Sequence, residues 1–357
     1  MRILFAVNSV GLGHATRSIP IIDALIKAKH EVYVLSSFRA LQFLKHEFKD
    51  KPKKYLDLPD YSLPELYTEK RVSTARFFLK APKLLNDLMK ENSVFKKIQQ
   101  RYQFEKIISD SRLGIYDPMV ASYLFFHHFR IPISQTPTLS ENTSELFFYI
   151  LKNRFKYFIV PDFKEKGIGG RLCHEFSFFK DDKIKYIGIS SMLKKLNVQE
   201  DIDYLFTISG PEPQRTVFEK KVLDVVKKLK GKVIVGLGKP EIKKVVKKKN
   251  VTIYGFLDRK QQQEYMNRAK FIVTRSGYTT LLELAELGKN ALLVPTKGQP
   301  EQEYLSKYHM NLKTFYSVDQ DELDLAKDLK IAQTYPGFKA PFKTEQSVKN
   351  FMKLVFE

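Results

Sequence analysis

Residues 271–284 encode a strand, a tight turn and a helix in immediate succession. The apolar run 271–274 predicts a short buried strand, Ser276 and Gly277 form the turn, and two threonines follow in the first turn of the helix. A buried strand that leads straight into a helix is the repeating unit of parallel α/β sheets. The start of such a helix collects unpaired backbone N–H groups and the positive end of the helix dipole. The segment therefore predicts a diphosphate site that needs no metal.

Further polar residues are predicted at the same edge of this sheet. Glu283 lies one helical turn beyond the threonines, where it can accept hydrogen bonds from a sugar diol. Arg215 follows the first strand of the second half and offers a mobile positive charge, although its loop also suits an ordinary strand-to-helix turn. The predicted phosphate, ribose and hexose contacts are Ser209, Gly210, Arg215, Arg275, Ser276, Gly277, Tyr278, Thr279, Thr280, Glu283, Gln299, Glu301 and Gln302.

A second glycine loop, Gly-Leu-Gly-His at residues 11–14, follows the N-terminal strand. A dinucleotide-binding turn would need a third glycine where Thr16 stands and an acidic residue at the end of the next strand, where Ser36 stands. His14 also occupies the place where a dinucleotide pyrophosphate would pack. These departures argue against a nicotinamide cofactor, while the Ser-Phe-Arg of residues 37–39 leaves NADP open as an alternative.

With a histidine in the first glycine loop and Ser-Gly-x-Thr-Thr-x-x-Glu in the second half, the sequence resembles the GT-B glycosyltransferases, and among them the MurG-like group of UDP-N-acetylglucosamine transferases. The resemblance covers nearly the whole chain. It implies that Gly11 and Gly13 belong to the acceptor-side loop, and that Tyr254, Gly255 and Phe256 contact the base of the donor. The loop Gly-Leu-Gly-His is shorter than the family's Gly-Gly-x-Gly-Gly-His, so the resemblance is more specific on the donor side.

The resemblance implies an α/β fold of two Rossmann-like parallel-sheet domains that face a central cleft. Residues 1–195 would form the acceptor-side domain, residues 196–340 the nucleotide-sugar donor domain, and residues 341–357 a helix that crosses back to the first domain. The implied activity is an inverting, metal-independent transfer of GlcNAc or another hexose from a UDP-sugar to an acceptor that is small or polyprenyl-linked. Two alternatives stay open: a UDP-GlcNAc 2-epimerase of the same fold, and a non-catalytic membrane-recruiting subunit.

Transfer with inversion requires a base that removes the proton of the acceptor hydroxyl. His14 is the only histidine on a glycine turn and is the first candidate, but it can instead contact the donor phosphate or cap the helix. Asp110 ends another strand of the N-terminal half, so it can orient His14 or act as the base itself. Gln135 is a further acceptor-side candidate.

Composition limits the partners. The net charge of +21 fits anionic partners such as nucleotide sugars, polyprenyl phosphates or acidic lipid headgroups, and equally the lysine-rich surface of a thermostable protein. The pattern predicts lysines that are scattered through helices rather than collected in one arm, and no nucleic-acid-binding motif occurs, so we expect no nucleic-acid partner. The single cysteine, Cys173, excludes an intrachain disulfide and a Cys-based metal site.

No run of 18 apolar residues predicts a membrane span, and the sequence starts directly with a strand. We therefore expect a cytoplasmic protein, with peripheral contact to an anionic inner membrane face as an option. Two basic amphipathic stretches, 76–101 and 144–158, are candidates for this contact, and both also fit helices that pack on a core. Asp201-Ile202-Asp203 matches the Asp-x-Asp of metal-dependent transferases but precedes a strand, so we expect no metal and no cofactor.

The alternation of apolar runs and helical patterns predicts parallel sheets covered on both faces. Strands are predicted at residues 2–8, 31–35, 106–109, 131–135, 157–161 and 183–190 of the first half, and at residues 204–209, 232–237, 251–254, 271–274 and 291–295 of the second.

Overall fold

The computed structural model describes residues 1–60, 74–132, 137–165, 167–179 and 182–357. Two compact units divide the chain: residues 1–192 together with 342–357, and residues 193–341. Each unit is built around its own sheet. Throughout the described ranges, no helix combines the length and the apolar character that a membrane crossing requires.

The first unit contains a sheet in which all strand pairs are parallel. Its order is β3-β2-β1-β4-β5-β6-β7. Parallel strands end at the same edge, and Val7 at the end of β1 lies opposite Asp110 at the end of β4. The glycine loop after β1 therefore begins beside Asp110. The strands are β1 Arg2–Val7, β2 Glu31–Ser36, β3 Lys54–Asp57, β4 Lys106–Asp110, β5 Ala121–Phe125, β6 Tyr157–Val160 and β7 Ile184–Tyr186.

Helices connect the strands of the first unit. They are α1 Gly13–Lys27, α2 Phe38–Phe48, α3 Thr74–Tyr102 and α4 Pro137–Ile150, with short 3-10 turns at Lys152–Arg154 and Gly170–Leu172. The C-terminal helix Thr344–Phe356 also belongs to this unit, where Ser191 N donates to Thr344 Oγ1 at 3.0 Å.

The second unit repeats the arrangement with the strand order β10-β11-β9-β8-β12-β13-β14. Its pairs are parallel except β10 with β11, which are antiparallel. The strands are β8 Ile202–Thr207, β9 Val233–Gly236, β10 Val246–Lys248, β11 Val251–Tyr254, β12 Ala269–Thr274, β13 Ala291–Leu293 and β14 Tyr316–Ser317. The helices are α5 Gln214–Val226, α6 Arg259–Arg268, α7 Tyr278–Leu287, α8 Pro300–Asn311 and α9 Leu325–Ala332, so the terminal helix is α10.

The two parallel-sheet domains predicted from the sequence are confirmed, but one strand was misplaced. The fifth strand is Ala121–Phe125 rather than 131–135; Ile131 and Pro132 lie outside any strand, and residues 133–136 are outside the described ranges. The polar Ser122 interrupts the apolar pattern of this strand. In the structure its hydroxyl is buried and donates to Asp117 O at 3.2 Å and Val120 O at 3.0 Å. The short edge strands β3, β10 and β14 were also not predicted.

A phenylalanine-rich core explains much of the stretch 144–158. Phe148, Leu151, Phe155 and Phe158 are all buried in one cluster with Phe129. The core interpretation therefore accounts for this face of the stretch, although other side chains of the same stretch remain exposed: Leu146 and Ile150.

Candidate functional site

The first glycine loop places His14 against the end of β4. Gly11 has φ +72°, a conformation that glycine adopts without strain, and α1 begins two residues later at Gly13. His14 Nδ1 lies 2.8 Å from Asp110 Oδ1 and 3.0 Å from Arg17 Nη2. Asp110 Oδ1 is the nearer of the two atoms and can only accept, so we assign the proton to Nδ1, which leaves Nε2 to accept a proton. Arg17 Nη2 can only donate, so with this tautomer it makes no hydrogen bond to Nδ1. The His14 side chain is 21% exposed.

Asp110 is fully buried and is the acceptor at the centre of this cluster. Arg17 Nε donates to Oδ2 at 2.8 Å, Arg17 Nη2 donates to Oδ1, and Ser18 Oγ donates to Oδ2 at 2.9 Å. Burial alone would raise the pKa of Asp110, but the charges and hydrogen bonds of Arg17 and His14 hold it well below its usual range. Asp110 is therefore a permanent anion that orients His14.

Sequence reasoning missed Arg17, although it lies three residues after His14 in the same loop motif. Its guanidinium is buried, stacks over the Phe125 ring at 5.3 Å, and lies 2.6 Å from His127 Nδ1. Arg17 and Asp110 are 93 residues apart in the sequence, so only the fold brings them together. Gln135, the remaining acceptor-side prediction, lies outside the described residues.

A second buried network supports the residues before the glycine loop. Asp60 Oδ2 accepts from Ser9 N and Ser9 Oγ, both at 2.5 Å, and Arg112 Nη1 lies 3.0 Å from Asp60 Oδ1. Arg112 Nε also donates to Glu91 Oε1 at 2.8 Å. Burial raises the pKa of Glu91 to about 7 despite the neighbouring arginine. These contacts tie α3, β4 and the glycine loop into one framework.

In the second unit, the loop between β12 and α7 follows the predicted strand, turn and helix. Gly277 is the residue before the helix and makes no side-chain cap. Ser276 Oγ donates to Gln302 O at 2.8 Å, and Tyr278 N donates to Glu301 Oε1 at 3.4 Å. A carboxylate at the start of α7 is favoured by the helix dipole, as a bound anion would be. Thr279 and Thr280 are half-buried beside it.

Glu283 lies within α7 and is buried without a cationic partner among the described residues. Its Oε2 accepts from Gln262 Nε2 at 3.3 Å. Burial raises the pKa of Glu283 to about 8, so the side chain is largely protonated at neutral pH. A neutral carboxyl both donates and accepts hydrogen bonds, which suits a diol.

Arg275 is held away from solvent by carbonyl oxygens of separate segments. It is 1% exposed, and its guanidinium lies 4.3 Å above the Phe218 ring. No carboxylate of the described residues pairs with it, and burial lowers its pKa to about 10. The side chain thus joins the ends of β8 and β13 to the start of α5 as a buried, unneutralised cation. Its acceptors are Ser209 O at 3.2 Å, Gln214 O at 3.0 Å, Val294 O at 3.2 Å, Pro295 O at 3.1 Å and Gln320 Oε1 at 2.7 Å.

The loop after β8 is open at its tip and anchored at its base. Ser209 and Gly210 are exposed, and Gly210 adopts φ +114°. Arg215, the predicted mobile positive charge, is ion-paired with Glu212 and donates to Leu237 O at 3.4 Å. Thr296 is buried, and its hydroxyl has no partner among the described residues. That hydroxyl lies 3.3 Å from where a Cβ of Gly210 would stand.

The predicted base-contacting loop follows β11. Tyr254 Oη lies 2.7 Å from Tyr265 Oη, and Phe256 is 43% exposed. At Gly255 a Cβ would lie 2.1 Å from Ile242 O, so only glycine fits. The loop therefore presents an exposed aromatic ring on a fixed backbone.

The polar cluster at the start of α8 is hydrogen-bonded within itself. Gln302 Nε2 donates to Gln299 Oε1 at 2.5 Å, and Gln302 Oε1 accepts from Thr296 N at 2.9 Å. Glu303 Oε1 accepts from Gly298 N at 2.7 Å. Gln299, Glu301 and Gln302 are all half-buried, and the cluster adjoins the start of α7 through Glu301 and the Ser276 hydroxyl.

Asp201 and Asp203 are engaged by cations of the protein. Asp201 pairs with Arg268 at 2.7 Å and Lys232 at 2.7 Å, and Asp203 pairs with Lys270 at 2.7 Å. Hydrogen bonds from these cations lower the pKa of both carboxyls. Each aspartate thus has a structural partner close to the start of β8.

One described group has the residue types of a metal site: Asp162, Cys173 and His174, whose ligand atoms lie within 4.8 Å of one another. Asp162 is already occupied, because Oδ1 accepts from Ile168 N and Oδ2 accepts from Gly169 N, both at 2.8 Å. The buried carboxylate therefore organises the surrounding loop.

Comparison with known proteins supports the fold. Residues 1–138 match the profile described as Glycosyl transferase family 1, and residues 214–354 match the Glycosyltransferase family 28 C-terminal domain. The structure of Acinetobacter baumannii MurG superposes with a TM-score of 0.58 at 11% identity, covering 99% of each chain. Spinosyn rhamnosyltransferase SpnG complexed with thymidine diphosphate gives a TM-score of 0.57 at 10% identity, covering 100% of this chain and 92% of the other.

A curated relative shows sequence similarity over a shorter span. The UDP-N-acetylglucosamine--N-acetylmuramyl-(pentapeptide) pyrophosphoryl-undecaprenol N-acetylglucosamine transferase of Histophilus somni (strain 129Pt) is 30% identical over 100 residues. The match covers 24% of this chain and 28% of that relative's length. The chain therefore carries a glycosyltransferase family 28 C-terminal domain and has the GT-B fold of the MurG-like glycosyltransferases.

Proposed function

We propose that the chain transfers a sugar from a UDP-sugar to an acceptor hydroxyl, with inversion and without a metal. The observation that carries this proposal is the open space at Gly277, in front of α7. Gly277 has φ −69° and ψ 142°, which any residue can adopt, and a Cβ there would meet only Thr280 Oγ1, at 3.9 Å. Neither the backbone nor the packing of the chain requires glycine there, so the space suits a bound diphosphate.

The start of α7 would act on the leaving group. Negative charge grows on the diphosphate as its bond to the sugar breaks, so fixed N–H dipoles stabilise the transition state more than the ground state. The buried Arg275, two residues before Gly277, adds positive charge to the same loop and has no carboxylate partner among the described residues. Such a charge acts strongly because it lies in a medium of low dielectric constant. Together they support leaving-group stabilisation that does not depend on a metal.

Recognition of the nucleoside is assigned to the same unit. Glu283 would hold the ribose diol, and the exposed ring of Phe256 would contact the base. The name of the Histophilus somni relative contains UDP-N-acetylglucosamine, and the SpnG structure contains thymidine diphosphate. We infer a uridine diphosphate donor, with GlcNAc or another hexose as the sugar.

His14 would be the base. Its Nε2 takes the proton of the acceptor hydroxyl, the hydroxyl oxygen bonds to C1 of the sugar, and the C1–oxygen bond to UDP breaks with its electron pair leaving on the diphosphate. Asp110 holds Nδ1 at 2.8 Å and stabilises the imidazolium that forms. Attack opposite the leaving group inverts the configuration at C1.

The acceptor is proposed to be lipid-linked. The name of the Histophilus somni relative contains a pyrophosphoryl-undecaprenol acceptor, and the charge of +21 favours an anionic membrane surface. Such an acceptor would place the chain at the inner face of a membrane as a peripheral protein.

The experiment that tests the proposal pairs two alanine variants at the two ends of α7. Gly277→Ala should leave the melting temperature unchanged and weaken UDP-sugar binding by more than about tenfold, because its Cβ enters the diphosphate space. Gly288→Ala should lower the melting temperature and leave UDP-sugar binding unchanged. Gly288 has φ +64°, and a side chain in that conformation is strained by on the order of 1 kcal/mol. Equal UDP-sugar affinity of Gly277→Ala and the unmodified protein in calorimetry would contradict the donor site.

A further inference from the structure

Three side chains of different chemistry meet just beyond the end of β6. Asp162 is the second residue after this strand, and Cys173 and His174 directly follow the 3-10 turn Gly170–Leu172. A carboxylate oxygen, a thiol sulfur and an imidazole nitrogen of these residues lie within 4.8 Å of one another. Asp162 and Cys173 are fully buried, and the His174 side chain is 14% exposed. The loop after β6 therefore brings three metal-ligand types to one buried point.

The loop contacts of Asp162 do not use its whole carboxylate. Oδ1 accepts from two backbone N–H groups of the loop, both at 2.8 Å, and these occupy its two lone pairs. Oδ2 accepts from Gly169 N at 2.8 Å and has one lone pair left. The Cys173 thiol at 3.4 Å and His174 Nε2 at 3.2 Å both approach this oxygen. Two protons thus share one lone pair.

The distances within this group fit the edges of a tetrahedral zinc site. Zinc bonds of about 2.0–2.3 Å at tetrahedral angles place a carboxylate oxygen about 3.3 Å from an imidazole nitrogen and about 3.5 Å from a thiolate sulfur. From Asp162 Oδ2 the separations are 3.2 Å to His174 Nε2 and 3.4 Å to Cys173 Sγ. The third edge, from nitrogen to sulfur, is within 4.8 Å, against about 3.6 Å in such a site. The imidazole is the partly exposed member, so it can turn to close this edge.

The surrounding chain holds the three ligands in place. A Cβ on Gly167 would lie 2.2 Å from His174 Nε2 and 2.8 Å from Asp162 Oδ2, so only glycine lets the imidazole and the carboxylate meet. On the other side, the Tyr186 hydroxyl donates to Cys173 O at 2.6 Å. The Tyr186 ring also stacks on the His174 imidazole, with the ring centroids 4.8 Å apart. The ligands are therefore fixed both by their own loop and by β7.

We propose that Asp162, Cys173 and His174 bind a divalent transition-metal ion, for which zinc is the best fit. On binding, the thiol releases its proton to solvent, and the imidazole proton moves from Nε2 to Nδ1. The carboxylate and the thiolate then neutralise the two charges of the ion, so no net charge is buried. Thiolate and imidazole ligands select zinc or cobalt over Mg²⁺ and Ca²⁺, which prefer oxygen. Three protein ligands leave the fourth position to water.

The ion would tie together the two ends of the loop between β6 and β7. A single cysteine excludes a site of several thiolates, but a mixed site needs only one. The metal would lie in the first unit, so its binding is independent of the donor site in the second unit, and it takes no part in sugar transfer. A cluster held by hydrogen bonds alone is the competing account, and it differs in needing the carboxylate but no thiolate.

The test is titration of the full chain with Co²⁺ after dialysis against a chelator and its removal. The unmodified protein should bind one Co²⁺ with a thiolate-to-cobalt charge-transfer band, which equimolar Zn²⁺ should abolish. Cys173→Ser should lose the band and weaken Co²⁺ binding more than about a hundredfold. His46→Gln is the matched control, because His46 is an exposed histidine of α2, and it should leave the titration unchanged.

Melting of the same variants separates metal binding from folding. Zn²⁺ should raise the melting temperature of the unmodified protein and of His46→Gln by about 5 °C, whereas Mg²⁺ should not. Cys173→Ser should melt cooperatively without metal and gain nothing from Zn²⁺. If Cys173→Ser does not fold, His174→Gln is used in its place, and it should likewise gain nothing from Zn²⁺. The absence of a charge-transfer band in the unmodified protein, or equal stabilisation of the ligand variants by Zn²⁺, would overturn the proposal.

Discussion

His14 Nδ1 lies 2.8 Å from Asp110 Oδ1, although 96 residues separate them in the sequence. The contact exists because β1 and β4 are parallel neighbours whose ends meet at one sheet edge. Arg17 and Ser18 also donate to the Asp110 carboxylate, which holds it in place. This buried carboxylate in turn fixes the orientation of the His14 imidazole. In the proposed mechanism, Asp110 and His14 act as the acid and histidine of a catalytic triad do, with the acceptor hydroxyl in place of the nucleophile.

His14→Gln should lower kcat by about 10²–10⁴, because the amide cannot take the acceptor proton. UDP-sugar affinity and the melting temperature should stay close to those of the unmodified protein. The measurement is steady-state kinetics together with calorimetry. A parallel fall in donor affinity would instead identify His14 as a phosphate ligand.

Asp110→Ala should destabilise the fold by about 3–5 kcal/mol, because it leaves the buried Arg17 without its carboxylate partner. Asp23→Ala is the matched control, since Asp23 forms a surface ion pair with Lys27 in α1, the helix that also carries Arg17. That change should cost less than about 1 kcal/mol. Urea denaturation gives both values, and similar losses would show that the buried pair has no special weight.

Glu283→Gln should stabilise the protein at alkaline pH. Burial raises the pKa of Glu283 to about 8, so between its ordinary pKa of 4.5 and this value the folded state binds more protons than the unfolded state. Stability therefore falls as pH rises through that interval. At pH 8 the glutamine variant should gain on the order of 2–4 kcal/mol relative to the unmodified protein, measured by melting from pH 5 to 9. An unchanged difference across that range would contradict the buried neutral carboxyl.

Glu283→Ala separates this stability effect from ligand binding. Loss of the proposed ribose contact should weaken UDP by roughly 1–3 kcal/mol. The analogue 2′,3′-dideoxy-UDP lacks both ribose hydroxyls. The variant and the unmodified protein should therefore bind it with the same affinity. Calorimetry with the two nucleotides decides whether Glu283 contacts the sugar.

Arg275 is predicted to act through its charge as well as through its hydrogen bonds. Arg275→Met removes both, so it should weaken UDP more than uridine, which carries no phosphate. Arg275→Lys retains the charge and should recover part of the preference for UDP. If the methionine variant loses the same factor for both ligands, the side chain has a purely structural role.

Activity should persist in excess EDTA. Asp201→Asn with Asp203→Asn should also leave kcat unchanged, because both carboxylates are already paired with Arg268, Lys232 and Lys270. Loss of activity that Mg²⁺ or Mn²⁺ restores would overturn the metal-independent mechanism. Product analysis without acceptor tests the remaining enzymatic alternative, since an epimerised UDP-sugar would indicate a 2-epimerase.

Patterns within a few residues were sufficient for the strand, turn and helix at 271–284 and for the glycine loop before α1, because local propensity and hydrophobic periodicity determine such units. The same patterns misplaced the fifth strand. Ala121–Phe125 is a strand because it pairs with β4, and a polar Ser122 interrupts its apolar pattern.

The tertiary structure alone decided how charged groups are paired. Arg17, Arg112 and Arg275 look like ordinary basic residues in the sequence, yet all three are buried. Two of them meet carboxylates from distant segments, and Arg275 meets only carbonyl and amide oxygens. A buried charge is stable only where such partners surround it. Those partners come from separate strands, so the sequence by itself determined which groups exist, and the order of strands in each sheet determined which of them meet.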